Sequence, residues 1–213
     1  MKVIDKPKQV LKIKDVASFN FEFVAGDRLV MMKDVEGILM SPKWAPHRYD
    51  TTLKQLIAVK TDEPDIITID EFKKLKIPDT VMRDGILFIW VEKELIHEII
   101  KFFGDQKFEY IENLCHVILD PTQEASTKQM NNTDATPAIH REKYPFLNKS
   151  HRTLLMLRRN LGSGQPLELR HQRTGDVVFD WVDPTNRFKT PQYYAYKLIE
   201  TLLPKANPTD KQA

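Results

Sequence analysis

Two spacings of apolar residues organise this chain. Residues 35–40 read Val-Glu-Gly-Ile-Leu-Met, a short buried strand, and residues 85–91 are apolar almost without a break. A run apolar at successive positions fits a strand covered on both faces. From Lys93 the spacing becomes helical, with Leu95, Ile96, Ile99, Ile100 and Phe103 on one face and Gly104 placed for a left-handed C-terminal cap. Residues 108–111 and 115–119 predict one long or broken strand, and 152–158, 167–169 and 176–182 predict further strands. A last helix is expected from Thr190-Pro191, with proline at its favoured first position and Tyr194, Leu198, Ile199 and Leu202 as its buried stripe. Strands alternating with helices predict an α/β fold of three layers around a mostly parallel sheet.

The polar segments set the boundaries. Residues 1–34 form a lysine-rich N-terminal extension in which Phe19-Asn20-Phe21-Glu22-Phe23 alternates with period two, as a short extended segment would. One domain is expected over 35–204, followed by a frayed tail at 205–213. Residues 45–67, with Pro46, Pro64 and Thr61-Asp62-Glu63, read as a long loop. Thr68-Ile69-Asp70-Glu71 has the form of a capping box and predicts a short helix through Phe72 and Leu75 that stops before Pro78. Residues 120–150 are rich in Gln, Asn, Thr, Ser and Pro, with Ile139, Tyr144, Phe146 and Leu147 as the anchoring side chains. Such an insertion is either disordered or ordered by contact with something else.

Composition removes several classes of function. A net charge of +2 does not demand a polyanionic partner, although a local basic face is compatible with it. Cys115 is the only cysteine, and His47, His97, His116, His140, His151 and His171 lack metal-site spacing, so no metal is expected. No apolar run approaches the ~18 residues of a membrane span, and the N-terminus does not read as a signal peptide; an intracellular setting is expected. The seven glycines form neither G-x-G-x-x-G nor a P-loop, and no G-x-S-x-G surrounds Ser41. Arg158, Arg159, Arg170, His171, Arg173 and Arg187 are either a phosphate-facing surface or ordinary solvated charge.

The first strand should end in a tight turn carrying Ser41-Pro42-Lys43-Trp44, and ligands gather outside the carboxyl ends of strands in α/β sheets. Around this turn the order of elements resembles the MT-A family of N6-adenine methyltransferases, which includes messenger-RNA and ciliate DNA adenine writers. That family places Asp-Pro-Pro-Trp after a strand, then a polar loop, a short helix and an F-L-F-L-W-V strand. Here the corresponding residues are Ile38 to Trp44, Ile77-Pro78 and Gly85-Ile86-Leu87-Phe88-Ile89-Trp90-Val91. Further on come Phe103-Gly104, Lys149-Ser150-His151-Arg152-Thr153-Leu154, Thr190-Pro191 and Leu198-Ile199-Glu200. The resemblance runs from Val35 to Leu203 and implies a Rossmann-like, S-adenosylmethionine-dependent methyltransferase fold.

The departures from the pattern bear on chemistry. In catalytic members the aspartate accepts a hydrogen bond from the adenine amine and supports the positive character that grows as it attacks. Ser41 can accept such a bond but carries no charge, and charged hydrogen bonds are roughly twice as strong as neutral ones. Lys43 replaces the second proline; an ammonium left ~4 Å from a sulfonium would oppose it by about 4 kcal/mol at an effective dielectric of ~20. Thr190 stands where the family has the lysine of its K-P pair. Where the family continues with an L-F-G-R strand and a later G-N, this chain has Leu203-Pro204-Lys205 and a polar tail, so the sheet is expected to end one strand short, by nature or because the chain is cut there.

The resemblance therefore implies a non-catalytic subunit with no cofactor of its own. S-adenosylmethionine would sit on a catalytic Asp-Pro-Pro-Trp subunit with which this chain heterodimerises in the nucleus. Residues 120–150, through Ile139, Tyr144, Phe146 and Leu147, would reach that partner. Arg158, Arg159, Arg170, Arg173 and Arg187 would help hold nucleic acid, with DNA favoured over RNA, and further DNA-binding subunits could join. Two other readings remain open on the residues alone: an active methyltransferase with a Ser-Pro-Lys-Trp site, and a standalone nucleic-acid-binding module. Trp44 is equally suited to stacking on a base or packing in the core, while Trp90 and Trp181 are expected to pack.

Overall fold

The computed structural model describes residues 35–53, 55–59, 66–119, 149–162, 167–169, 175–181 and 192–203. In chain order they form β1 (Gly37–Met40), β2 (Lys43–Trp44), β3 (His47–Asp50), β4 (Gln55–Ala58), β5 (Ile66–Ile67), α1 (Ile69–Phe72), β6 (Asp84–Val91), a 3-10 turn (Lys93–Leu95), α2 (Ile96–Gly104), β7 (Phe108–Leu119), β8 (His151–Asn160), β9 (Val177–Trp181) and α3 (Gln192–Leu202). The main sheet has five strands in the order β1-β6-β8-β7-β9. β1 pairs parallel to β6, and β7 parallel to β9, while β8 runs antiparallel to both of its neighbours. Four of the five strands therefore point the same way. This α/β sheet is consistent with the Rossmann-like methyltransferase fold expected from the sequence.

β6 explains the three layers. Its residues from Gly85 to Val91 are all buried, and alternate side chains of a strand point to opposite faces. Leu87, Ile89 and Val91 join a core with Phe72 of α1 and Ile99 and Phe103 of α2. Ile86, Phe88 and Trp90 join a second core with Ala195, Leu198 and Ile199 of α3. Each fully buried side chain of this size contributes about 1.5–3 kcal/mol relative to exposure, so two-sided burial makes β6 a large contributor to stability.

Several expectations need correction. Residues 45–67 do not form one long loop: β3 and β4 make an antiparallel hairpin. Its turn is held by the Asp50 carboxylate, which accepts from the backbone N–H of Thr52 at 2.8 Å and of Leu53 at 2.9 Å. Gly104 is the last residue of α2, and the left-handed residue is Lys107, at φ 66°, which swings the chain into β7. Asp105 caps the helix, its N–H donating to the Lys101 carbonyl at 3.1 Å. Residues 167–169 are not a strand; Leu167 and Leu169 pack their side chains on the α3-side core without joining the ladder. The capping box at Thr68 and Glu71 is present, with Glu71 N–H donating to Thr68 Oγ1 at 3.3 Å and Thr68 N–H to Glu71 Oε2 at 2.9 Å. The expected long or broken strand is the single long strand β7, whose register slips between Tyr110 and Glu112, as expected. Residues 1–34, 120–148 and 204–213 lie outside the described residues.

Candidate functional site

The carboxyl end of β1 delivers Ser41 to the edge of the sheet. Met40 is in register with Ile89, so Ser41 lies beside the last residues of β6, and it is exposed. The expected tight turn is instead a pinned extended segment. Lys43 and Trp44 pair parallel with Ile66 and Ile67, and Ala45 N–H donates to the Ile67 carbonyl at 2.9 Å. Strand alternation sends Lys43 outward and Trp44 inward. The Lys43 side chain is therefore directed to solvent rather than into the core.

Trp44 packs. Its indole Nε1 donates to the Trp90 carbonyl at 2.8 Å, and its ring lies 4.8 Å from that of Phe72. At 9% exposure it has no free face for a base. Trp90, 5% exposed, is core as expected; the side chain of Trp181 lies outside what the structure describes.

A polar group that the sequence did not single out surrounds this edge. His47 Nδ1 and Glu94 Oε1 stand 3.9 Å apart, with side chains only 6% and 7% exposed, and Lys149 forms an ion pair with Glu92. On the α3 side of the sheet, His116 sits edge-on to Trp90, 6.2 Å between ring centroids, and 5.7 Å from Tyr194. Among the described residues, His47 Nδ1, Trp90 Nε1, Glu94 Oε2 and both His116 nitrogens are buried without a hydrogen-bond partner. Buried polar atoms in native folds are nearly always satisfied. These atoms lie around the carboxyl end of β6, whereas Arg159 Nε, also without a partner, lies at its other end. Glu92 and Glu94 could have been found from sequence, as charges immediately following a fully apolar strand. His47 and His116 could not, because nothing in their spacing ties them to residues 90–94.

Burial is the larger influence on His116, which is 3% exposed, and it pushes the imidazole pKa down; Asp180, 3.6 Å from Nε2, opposes the shift and Arg152 adds to it. A lowered folded pKa means that the native chain binds fewer protons than the unfolded chain below pH ~6.5. The stability that His116 contributes is thus fully present above that pH and is lost as pH falls through the folded value. Urea titrations at pH 7.5 and 5.5 should show a midpoint that drops on acidification, and His116→Gln should shrink that drop. An equal drop in the variant would remove His116 as the cause.

The expected nucleic-acid residues separate. Arg158 is half-buried and lines a shallow polar cleft with Lys107, Glu109 and Asn160, towards the opposite end of β6 from Ser41. Arg159 is a correction. It is 3% exposed, donates to the carbonyls of Ile77 at 3.1 Å and Met82 at 3.0 Å, and pairs with Asp79 at 2.5 Å. A guanidinium spent on the fold in this way cannot also hold a phosphate. Arg170, Arg173, Arg187 and His171 lie outside the described residues, as do Ile139, Tyr144, Phe146 and Leu147. Among the described residues no group of three His, Cys, Asp or Glu side chains could hold a metal ion, and no helix is long and apolar enough to cross a membrane.

No protein-family model matches the chain, and no curated protein matches it. Among solved structures, the crystal structure of the M1.HpyAVI–SAM complex is similar at 12% identity, covering 89% of this chain and 74% of that one, with a TM-score of 0.47. At that score the likeness adds nothing to what the sheet itself says.

Proposed function

We propose that this chain is a non-catalytic, methyltransferase-like subunit that heterodimerises with an active N6-adenine methyltransferase in the nucleus. It would brace the partner's site and lend surface to the nucleic acid, with DNA favoured over RNA, while S-adenosylmethionine resides on the partner. One observation carries the reading: at the carboxyl end of β1, where the resembling family holds the aspartate that engages the adenine amine, this chain presents the uncharged, exposed Ser41. The inward turn of Trp44 supports it, since the one aromatic of that segment is committed to the Trp90 carbonyl and to Phe72.

Reconstitution tests the proposal. The chain alone should not methylate an adenine-containing duplex, and the pair with an Asp-Pro-Pro-Trp subunit should. Ser41→Ala should leave the activity of the pair unchanged. Methylation by the chain alone, or its loss in the pair on Ser41→Ala, would overturn the proposal. Calorimetric titration of the isolated chain with S-adenosylmethionine supplies a second readout, in which micromolar binding contradicts an empty cofactor site.

A further inference from the structure

Three of the buried polar atoms that lack a hydrogen-bond partner lie together beneath α3: Trp90 Nε1 and both nitrogens of His116. Their place follows from strand alternation. Leu114 of β7 belongs to the α3-side core, so His116, two residues on, faces the same side, and Trp90 of β6 faces it too. α3 closes over them through Tyr194, whose ring stands 5.7 Å from that of His116. The imidazole is held between Trp90 of the sheet and Tyr194 of the helix, packed as a neutral aromatic ring would be.

A proton on His116 changes what that place must supply. An imidazolium donates from both nitrogens and carries a charge that burial disfavours. Among the described residues, the charged groups on this side of the sheet near His116 are Arg152 of β8, which opposes it in register, Glu112 of β7, Asp180 of β9 and Asp176 just before β9. Trp90 of β6 brings no charge, and α3 brings Lys197, which is exposed, and Glu200, besides the Tyr194 phenol. Of these, Asp180 and Arg152 act on the imidazole, in opposite directions. Asp180 lies 3.6 Å from Nε2, and Nδ1 has no acceptor.

The elements around the imidazole differ in what holds them. β7 is laddered to β8 on one side and β9 on the other, and β6 to β1 and β8. A new positive charge attracts Asp180, and so holds β9. α3 is held otherwise: Ala195, Leu198 and Ile199 pack on the sheet, and among the described residues no backbone hydrogen bond joins the helix to a strand. At 11 residues it is also marginal as a helix in water on its own. We propose that α3 is an acid-released cover: protonation of His116 favours a state in which α3 leaves the sheet, water reaches Trp90 Nε1 and both imidazole nitrogens, and the core between β6 and α2 stays closed.

Hydrogen exchange of the full chain, read by mass spectrometry at pH 7.5 and 5.5 and corrected for intrinsic rates, tests this. Once exposed, His116 titrates near its ordinary value of ~6.5, so the open population should rise by up to about tenfold across that interval. Amides of α3 should show the rise and those of β6 should not. His116→Phe keeps a ring in place but takes up no proton, so its α3 should open equally at both pH values. Asp180→Asn removes the carboxylate that favours the imidazolium in the closed state, and its acid response should be as large as that of wild type or larger. Should the phenylalanine variant fail to fold, the wild-type and asparagine chains decide the matter by the same readings. No acid response in the wild-type α3, one that persists in His116→Phe, one that shrinks in Asp180→Asn, or one shared equally by β6 overturns the proposal.

Discussion

Replacing Arg159 with methionine should cost the fold about 2–6 kcal/mol, the sum for two buried carbonyls that lose their donor. The size follows from what the guanidinium holds. Its two bonds to the carbonyls of Ile77 and Met82 tie the segment before β6 to the end of β8, and its Cζ lies 5.0 Å from the centre of the Phe108 ring. Each carbonyl left without a donor costs about 1–3 kcal/mol. The pair with Asp79 matters less, since that carboxylate is 61% exposed and solvent replaces the contact cheaply. Methionine keeps the stem's packing, so the loss isolates the hydrogen bonds. Arg159→Lys should recover only part of it: one nitrogen, Nη1, makes both carbonyl bonds, and the lysine ammonium falls one bond short of that position. Urea unfolding monitored by circular dichroism measures both variants. A cost below about 1 kcal/mol for the methionine variant would mean that solvent already satisfies those carbonyls. Arg158→Met, one residue away, should cost far less, and any loss of DNA affinity in the proposed heterodimer should belong to it rather than to Arg159.

Phe72→Ala should destabilise the chain by a similar amount, about 3–5 kcal/mol, from lost burial and the cavity left behind. Phe72 is fully buried and stands at the junction of the fold, 4.8 Å from Trp44, 5.8 Å from Phe102 and 6.0 Å from Phe103. It is the side chain through which α1 clamps the Ser41–Trp44 segment onto α2. The variant should therefore also loosen Trp44, visible as a change in the near-ultraviolet circular dichroism of the folded protein before any unfolding. Phe72→Leu refills most of the space and should lose less than half as much. Equal losses for alanine and leucine would show that ring geometry, not volume, sets the cost.

These two residues differ in how far the sequence announced them. Phe72 follows a capping box at helical spacing, so its burial was legible before any tertiary contact was known. Arg159 looked like its neighbour Arg158, one of several arginines available to a phosphate. Which of two adjacent strand residues turns inward depends on register, and here Arg159 continues the face of Leu155 and Leu157 towards the segment 77–82.

The amino-acid order alone determined the architecture and the absence of a charge. An apolar run over residues 85–91 can be buried only between two layers, the helical spacing after Lys93 supplies one of them, and no arrangement of the chain gives Ser41 a carboxylate. The tertiary structure decided what depends on distant segments meeting. It turned Trp44 onto the Trp90 carbonyl, faced Lys43 outward, and brought His47 beside Glu94 and His116 beside Trp90. It also left Val177 and Phe179 exposed on the outermost strand of the sheet. Local propensity follows from neighbours in the chain, whereas facing and cover are set by register and by the reach of other elements, which no single stretch of sequence carries.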